Sequence, residues 1–107
     1  MSGKNIELMS PNISVSAAYD LEEIWLYTAN AWSIEQADKY LNLIFKEIEF
    51  LCKNPKSGTN FSHIKEGYYR SQIKSHFIFY KINLQSKTLD VIRILHQMMD
   101  VTSYLTK

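Results

Sequence analysis

Five side chains in the C-terminal half are of types that could cut a phosphodiester bond: Arg70, His76, Tyr80, Arg93 and His96. That reaction needs a general base, a general acid and cations set against the charge that develops on the phosphate oxygens. His96 could move protons near neutral pH, while Arg70 and Arg93 could hold the anion. Each residue also has a plainer reading. A histidine that ends an apolar run, as His96 ends LDVIRILH, is more often a packed and hydrogen-bonded structural group. Arg93 alternates with Leu89, Val91 and Leu95, so it points among apolar neighbours and needs a carboxylate or carbonyl partner if it is buried. Arg70 can share that site, and the crowding of two like charges makes an anionic partner more necessary. His76 stands beside Ser75 at an expected turn, where a side chain that bonds local backbone is useful without any catalysis. Structural polar roles for Arg70, Arg93 and His96 are therefore the favoured reading, with the same three as the catalytic set if the chain is a nuclease.

Other chemistry finds little support. The sequence has no Gly-rich phosphate loop, no His-Glu-x-x-His pair, no Cys-x-x-Cys and no nucleophile elbow. Its single cysteine, Cys52, can form no internal disulfide and has no neighbouring cysteine with which to bind zinc, so no metal or cofactor is expected. The tyrosines are too widely spread for a base-stacking platform. Twelve Lys and Arg stand against 11 Asp and Glu, a net charge of +1, so no strong field steers a polyanion onto the surface. No stretch approaches the roughly 20 apolar residues a membrane span requires, and a cytoplasmic protein is expected. Met98 and Met99 are adjacent flexible apolar side chains near the end of the chain; with Tyr104 and Leu105 they are the expected partner-binding residues.

The elements that must position these residues follow from period and punctuation. At 107 residues, 46% of them hydrophobic, residues 1–107 form a single domain. Asn5 to Ile13 alternate imperfectly, and Pro11 cannot donate to a ladder, which places this strand at the sheet edge. Ala17, Leu21, Ile24, Trp25 and Thr28 fall at helical spacing, capped by Ser14 or Ser16, and predict a helix over Val15 to Asn30. Ser33 and Gln36 fit a capping box, with Trp32 and Ala37 as its staple. The stripe Ala37, Tyr40, Leu41, Ile44, Ile48, Leu51 and Cys52 then runs to Pro55, which disfavours helix at Asn54. Two helices joined so tightly form an antiparallel hairpin. Lys56 to Glu66 reads as a long loop anchored by Phe61 and Ile64.

From Tyr68 the period becomes two. Tyr69, Ser71 and Ile73 oppose Tyr68, Arg70, Gln72 and Lys74, and Ser75-His76 suits a hairpin turn. Phe77 to Ile82 and Leu89 to Leu95 are apolar on both faces, which marks central strands covered on both sides. One helical layer covers one face; the other needs the Met98 to Leu105 tail or another protein. Asp100 can cap a short helix to about Leu105. The fold class is α+β: an N-terminal edge strand, a two-helix antiparallel hairpin on one face of a small twisted antiparallel sheet, and a short C-terminal helix.

Three blocks carry a likeness to a known family: Asp20-Leu21-Glu22-Glu23-Ile24-Trp25, then Asn54-Pro55 with Gly58, then the run from Gly67 to Asp100. Within the last, Gly67-Tyr68-Tyr69-Arg70, Ser75-His76-Phe77-Ile78-Phe79-Tyr80 and Arg93-Ile94-Leu95-His96 keep the family's order and approximate spacing. The chain resembles ParE-type toxins of the RelE/ParE toxin-antitoxin superfamily. The resemblance implies a type II toxin that inhibits DNA gyrase by binding, without enzymatic activity, and is neutralised by a ParD-like antitoxin that also binds operator DNA. Its alternatives are a ribosome-dependent mRNA endoribonuclease of the RelE branch, or an inactive relic that only binds antitoxin. Relatives commonly place proline where Val15 stands, and a basic residue where Gln97, Met98 and Met99 stand.

Overall fold

The computed structural model describes residues 8–106. Strand β1 spans Ser10–Ile13, helix α1 Val15–Ala31, helix α2 Ile34–Lys53, strands β2 to β5 Thr59–Asn60, Tyr68–Ile73, His76–Asn83 and Thr88–His96, and helix α3 Val101–Leu105. The sheet order is β1-β5-β4-β3-β2. Of the expected first strand, residues 5–7 lie outside the described residues; the strand itself starts at Ser10 and occupies the sheet edge, where Pro11 costs no inner ladder bond. It runs parallel to β5, so the sheet is mixed, not wholly antiparallel. The helix hairpin between β1 and the rest of the sheet supplies the crossover a parallel pair needs.

Local capping sets the helices. Ser14 Oγ accepts from Ala17 N–H at 2.9 Å and donates to the Ile92 carbonyl at 2.7 Å, so the cap of α1 also ties it to β5. Ser33 Oγ accepts from Gln36 N–H at 3.1 Å and starts α2, as its spacing requires. Trp32, the expected staple, is instead 77% exposed while Ala37 is buried, so the helix corner is set by the Ser33 cap. Pro55 ends α2 and opens a single 3-10 turn over Pro55–Ser57. The expected long loop is thus shorter, because Thr59 and Asn60 pair with Arg70 and Tyr69 as β2.

Ala17, Leu21 and Ile24 of α1 and Ile44, Ile48, Leu51 and Cys52 of α2 pack on Ile78, Tyr80, Leu89, Val91 and Ile94. A second core forms on the opposite face, where Phe61, Tyr68, Phe79, Leu95 and Leu105 are buried with Ile64, Phe77, Ile92 and Val101 against them. The tail and the Phe61 loop therefore supply the second cover. Each of these buried side chains contributes roughly 1.5–3 kcal/mol, which gives the five-residue α3 a stabilising role out of proportion to its length.

Between Phe79 and Tyr80 the β4–β5 register shifts: Phe79 opposes Arg93, whereas Tyr80 opposes Val91. Ile92 is the extra residue of this bulge, and it switches which alternate positions face the helices. Leu89 and Val91 lie in the main core but Leu95 lies in the second, so the alternation expected to group Arg93 with all three is broken at Ile92. The β3–β4 turn falls at Lys74-Ser75, one residue before the expected Ser75-His76. Lys74 takes the positive φ of 51° that so tight a connection demands.

Candidate functional site

The residues a nuclease would recruit are distributed over both faces of the sheet. Arg93, just past the bulge, lies beyond the last rung of β1, where Ile13 pairs with Val91. Asp20 of α1 fills the edge that β1 leaves open. Its carboxylate accepts from Arg93 Nε and Nη2, both at 2.8 Å, and from the Ile94 backbone N–H at 2.9 Å. The hydrogen bonds to Asp20 raise the Arg93 pKa further, against the opposing effect of burial. The guanidinium also lies 5.3 Å from the Tyr104 ring centroid of α3. Arg93 thus has its anionic partner inside the chain.

Arg70 opposes Phe79 from the other side, on β3. Its guanidinium lies 4.5 Å from the centroid of the Phe77 ring and 5.2 Å from that of Phe61. Such cation–π contacts hold the plane of the group without using its N–H donors. Among the described residues the single ion pair is Arg93–Asp20, and the Arg70 side chain donates no hydrogen bond.

His96 turns to the opposite face. It opposes His76, and the two rings meet edge to face at 5.1 Å between centroids. His76 Nδ1 is 2.6 Å from the Tyr40 hydroxyl of α2. Burial, with the His96 ring adding to it, lowers the His76 pKa to about 4, so this imidazole is neutral at physiological pH. Burial likewise raises the Tyr40 phenol. His96 Nδ1 accepts the Met98 backbone N–H at 3.1 Å. Both histidines line a cleft of about 620 Å³ at the end of the sheet, walled by Tyr27, Trp32, Tyr40 and Met99.

His76 is thus a strand residue in a cleft, not the turn residue its sequence neighbours suggest; the shift of the turn by one residue moved it there. Its partner Tyr40 was visible only as part of the α2 stripe. Tyr80, another nuclease candidate, is fully buried: its hydroxyl donates to the Pro55 carbonyl at 2.7 Å and accepts from Gly58 N–H at 3.1 Å. Burial, with smaller contributions from Tyr69 and Glu47, pushes its pKa up to about 12, outside the range useful for proton transfer at neutral pH.

The tail divides in two. Met98 is 82% exposed, and Met99 and Tyr104 are exposed too, whereas Leu105 is 4% exposed and belongs to the second core. Leu105 is taken up by its own chain because the sheet face beneath it has no other helix. Asp100 Oδ2 accepts from Ser103 Oγ at 2.7 Å and secures the first turn of α3. No described helix is long and apolar enough to cross a membrane.

This fold, a helix hairpin on one face of a five-stranded mixed sheet with a short C-terminal helix on the other, is similar to that of two solved toxin-antitoxin structures. The chromosomal ParDE system of P. aeruginosa matches with a TM-score of 0.72 at 18% identity, over 84% of this chain and 97% of the other. The RelBE2 complex of Mycobacterium tuberculosis matches with a TM-score of 0.58 at 16% identity, over 82% and 96%. The fold is that of the RelE/ParE toxins. A family model described as the ParE toxin of the type II toxin-antitoxin system parDE matches residues 12–101. Toxin ParE1 of Mycobacterium tuberculosis is 38% identical over 89 residues, 83% of this chain and 90% of that protein. Toxin ParE1 of Caulobacter vibrioides is 32% identical over 93 residues, 87% and 94%. The chain belongs to the ParE toxin family and is the toxin component of a type II toxin-antitoxin system.

Proposed function

We propose that this toxin acts in the cytoplasm by binding DNA gyrase, without enzymatic activity, and that a ParD-like antitoxin neutralises it and carries the pair to operator DNA. Membership of the ParE family supports the target, and the ParDE name of a structural neighbour supports the antitoxin. The observation that carries binding over cleavage is the dispersal of Arg70, Arg93 and His96. Arg93 is closed by Asp20, and His96 points into a cleft on the other side of the sheet from both arginines. A ribonuclease needs its proton donor and its cations around one phosphate. A net charge of +1 further disfavours an enzyme that must grip several phosphates.

Purified toxin titrated into a gyrase reaction tests the proposal. Supercoiling is expected to fall and cleaved DNA to accumulate as toxin rises, with DNA-damage signalling on expression in cells. Unchanged supercoiling and cleavage at saturating toxin, with transcripts cut on stalled ribosomes, would overturn it in favour of the RelE-type nuclease.

A further inference from the structure

Two half-buried arginines flank Phe79 on the second face of the sheet, yet only one has its charge answered. Asp20 takes two N–H groups of Arg93 in a bidentate pair. Arg70 has its plane held over the Phe61 and Phe77 rings and leaves its edge donors without a hydrogen-bond partner among the described residues. A guanidinium fixed in this way is pre-organised, because much of the rotamer entropy that docking would cost has already been lost to ring stacking. Its fork matches a planar anion that accepts two parallel N–H bonds.

We propose that Arg70 is the anchor for an acidic side chain of the antitoxin, whose carboxylate completes for Arg70 the pair that Asp20 completes for Arg93. The inference rests on the antitoxin reading above and gives that partner a specific docking residue. Nucleic acid phosphate fits less well. Phe61 and Phe79 are buried, so neither of these rings is free to stack a base, and the chain's net charge of +1 offers little to a polyanion. Lys81, a further cation on this face, lies over Tyr68 at 5.8 Å and is a flexible point charge without a fork. A neutralising partner must also stay bound. Desolvating a bidentate pair acts chiefly on the rate of dissociation, whereas charges on the rim act on encounter.

The test is a titration of the full-length toxin with the antitoxin encoded by the adjacent reading frame, for wild type, Arg70→Lys and Lys81→Gln, at low and high salt. Arg70→Lys keeps the charge but removes the fork. It is expected to weaken binding about tenfold through faster dissociation, with the loss retained at high salt, while Lys81→Gln stays within about twofold. Equal small losses for both variants that vanish in salt, or wild-type affinity for Arg70→Lys, would overturn the proposal. Where Arg70→Lys fails to fold, the Arg70 Nε–H signal of the wild-type toxin decides the matter by NMR. It should shift and become protected from exchange on adding antitoxin, and an unchanged signal counts against the anchor. Gyrase takes no part in these measurements, so a wild-type toxin that leaves gyrase untouched sinks the target assignment and not this one.

Discussion

Asp20 accepts three hydrogen bonds at once, two from the Arg93 side chain and one from the backbone of the residue after it. The carboxylate therefore does the work of a missing strand rung as well as that of a counter-ion. Its partner is half-buried and it is itself largely covered, so solvent screens the pair only partly. Asp20→Asn puts an N–H₂ group against at least one of these donors. We expect a loss of about 2 kcal/mol, or roughly 10 °C in thermal midpoint for a domain of this size. Thermal melts of Asp20→Asn, Arg93→Met and the double variant check it: the double should cost less than the sum, because the singles each strand a polar partner.

Tyr80 and Gly58 form a second coupled pair. A Cβ built at Gly58 falls 2.5 Å from the Tyr80 hydroxyl and 2.9 Å from the Arg70 carbonyl oxygen. Tyr80→Phe leaves the Pro55 carbonyl and the Gly58 N–H without their partner, at a cost of roughly 1–3 kcal/mol. Gly58→Ala is expected to be destabilising as well, and less so in the Tyr80→Phe background, where the closest clash is gone. Urea melts of the four proteins test this non-additivity; strictly additive losses would show that the hydroxyl and the glycine do not share the space.

His76 makes stability depend on pH. Its folded pKa is about 4 against an ordinary 6.5, so between these values the unfolded chain binds a proton that the folded chain does not. Stability is complete above about pH 6.5, falls as pH drops through this window, and levels off below about 4. Allowing for solvent screening of a half-buried ring, the contribution is about 1–2 kcal/mol. Midpoints measured from pH 4 to 7 should fall less in His76→Gln than in wild type. Parallel curves for the two proteins would remove His76 from the account.

What the sequence reveals of these pairs depends on how far apart their members stand along the chain. Ser14, Ser33, Pro55 and Asp100 act on backbone within a few residues of themselves, so their caps and stops were legible from spacing alone. The apolar runs of β4 and β5 announced central strands for the same reason. The bulge at Ile92 left no mark, because an isoleucine suits either face of a sheet covered on both sides. Asp20 and Arg93 stand 73 positions apart, and Tyr40 and His76 stand 36 apart. Sequence showed that a buried Arg93 needed a carboxylate or carbonyl partner, but that partner's identity depends on β1 pairing parallel to β5 and stopping at Ile13. The same topology separated His96 from the arginines that its spacing seemed to join.

The tail separates stability from recognition in two adjacent stretches. Leu105 closes the second core over Phe79 and Leu95, so Leu105→Ala should cost about 2–4 kcal/mol, near the usual range for a buried leucine. Met98 is almost fully solvated, and Met98→Ser should leave stability within about 0.5 kcal/mol of wild type. If Met98 belongs to a partner surface, as its exposure beside Met99 on the wall of the cleft suggests, Met98→Ser folds normally and yet loses affinity for antitoxin or gyrase. Melting curves paired with binding titrations separate the two effects. A Met98→Ser toxin that binds both proteins as tightly as wild type would remove Met98 from the recognition surface.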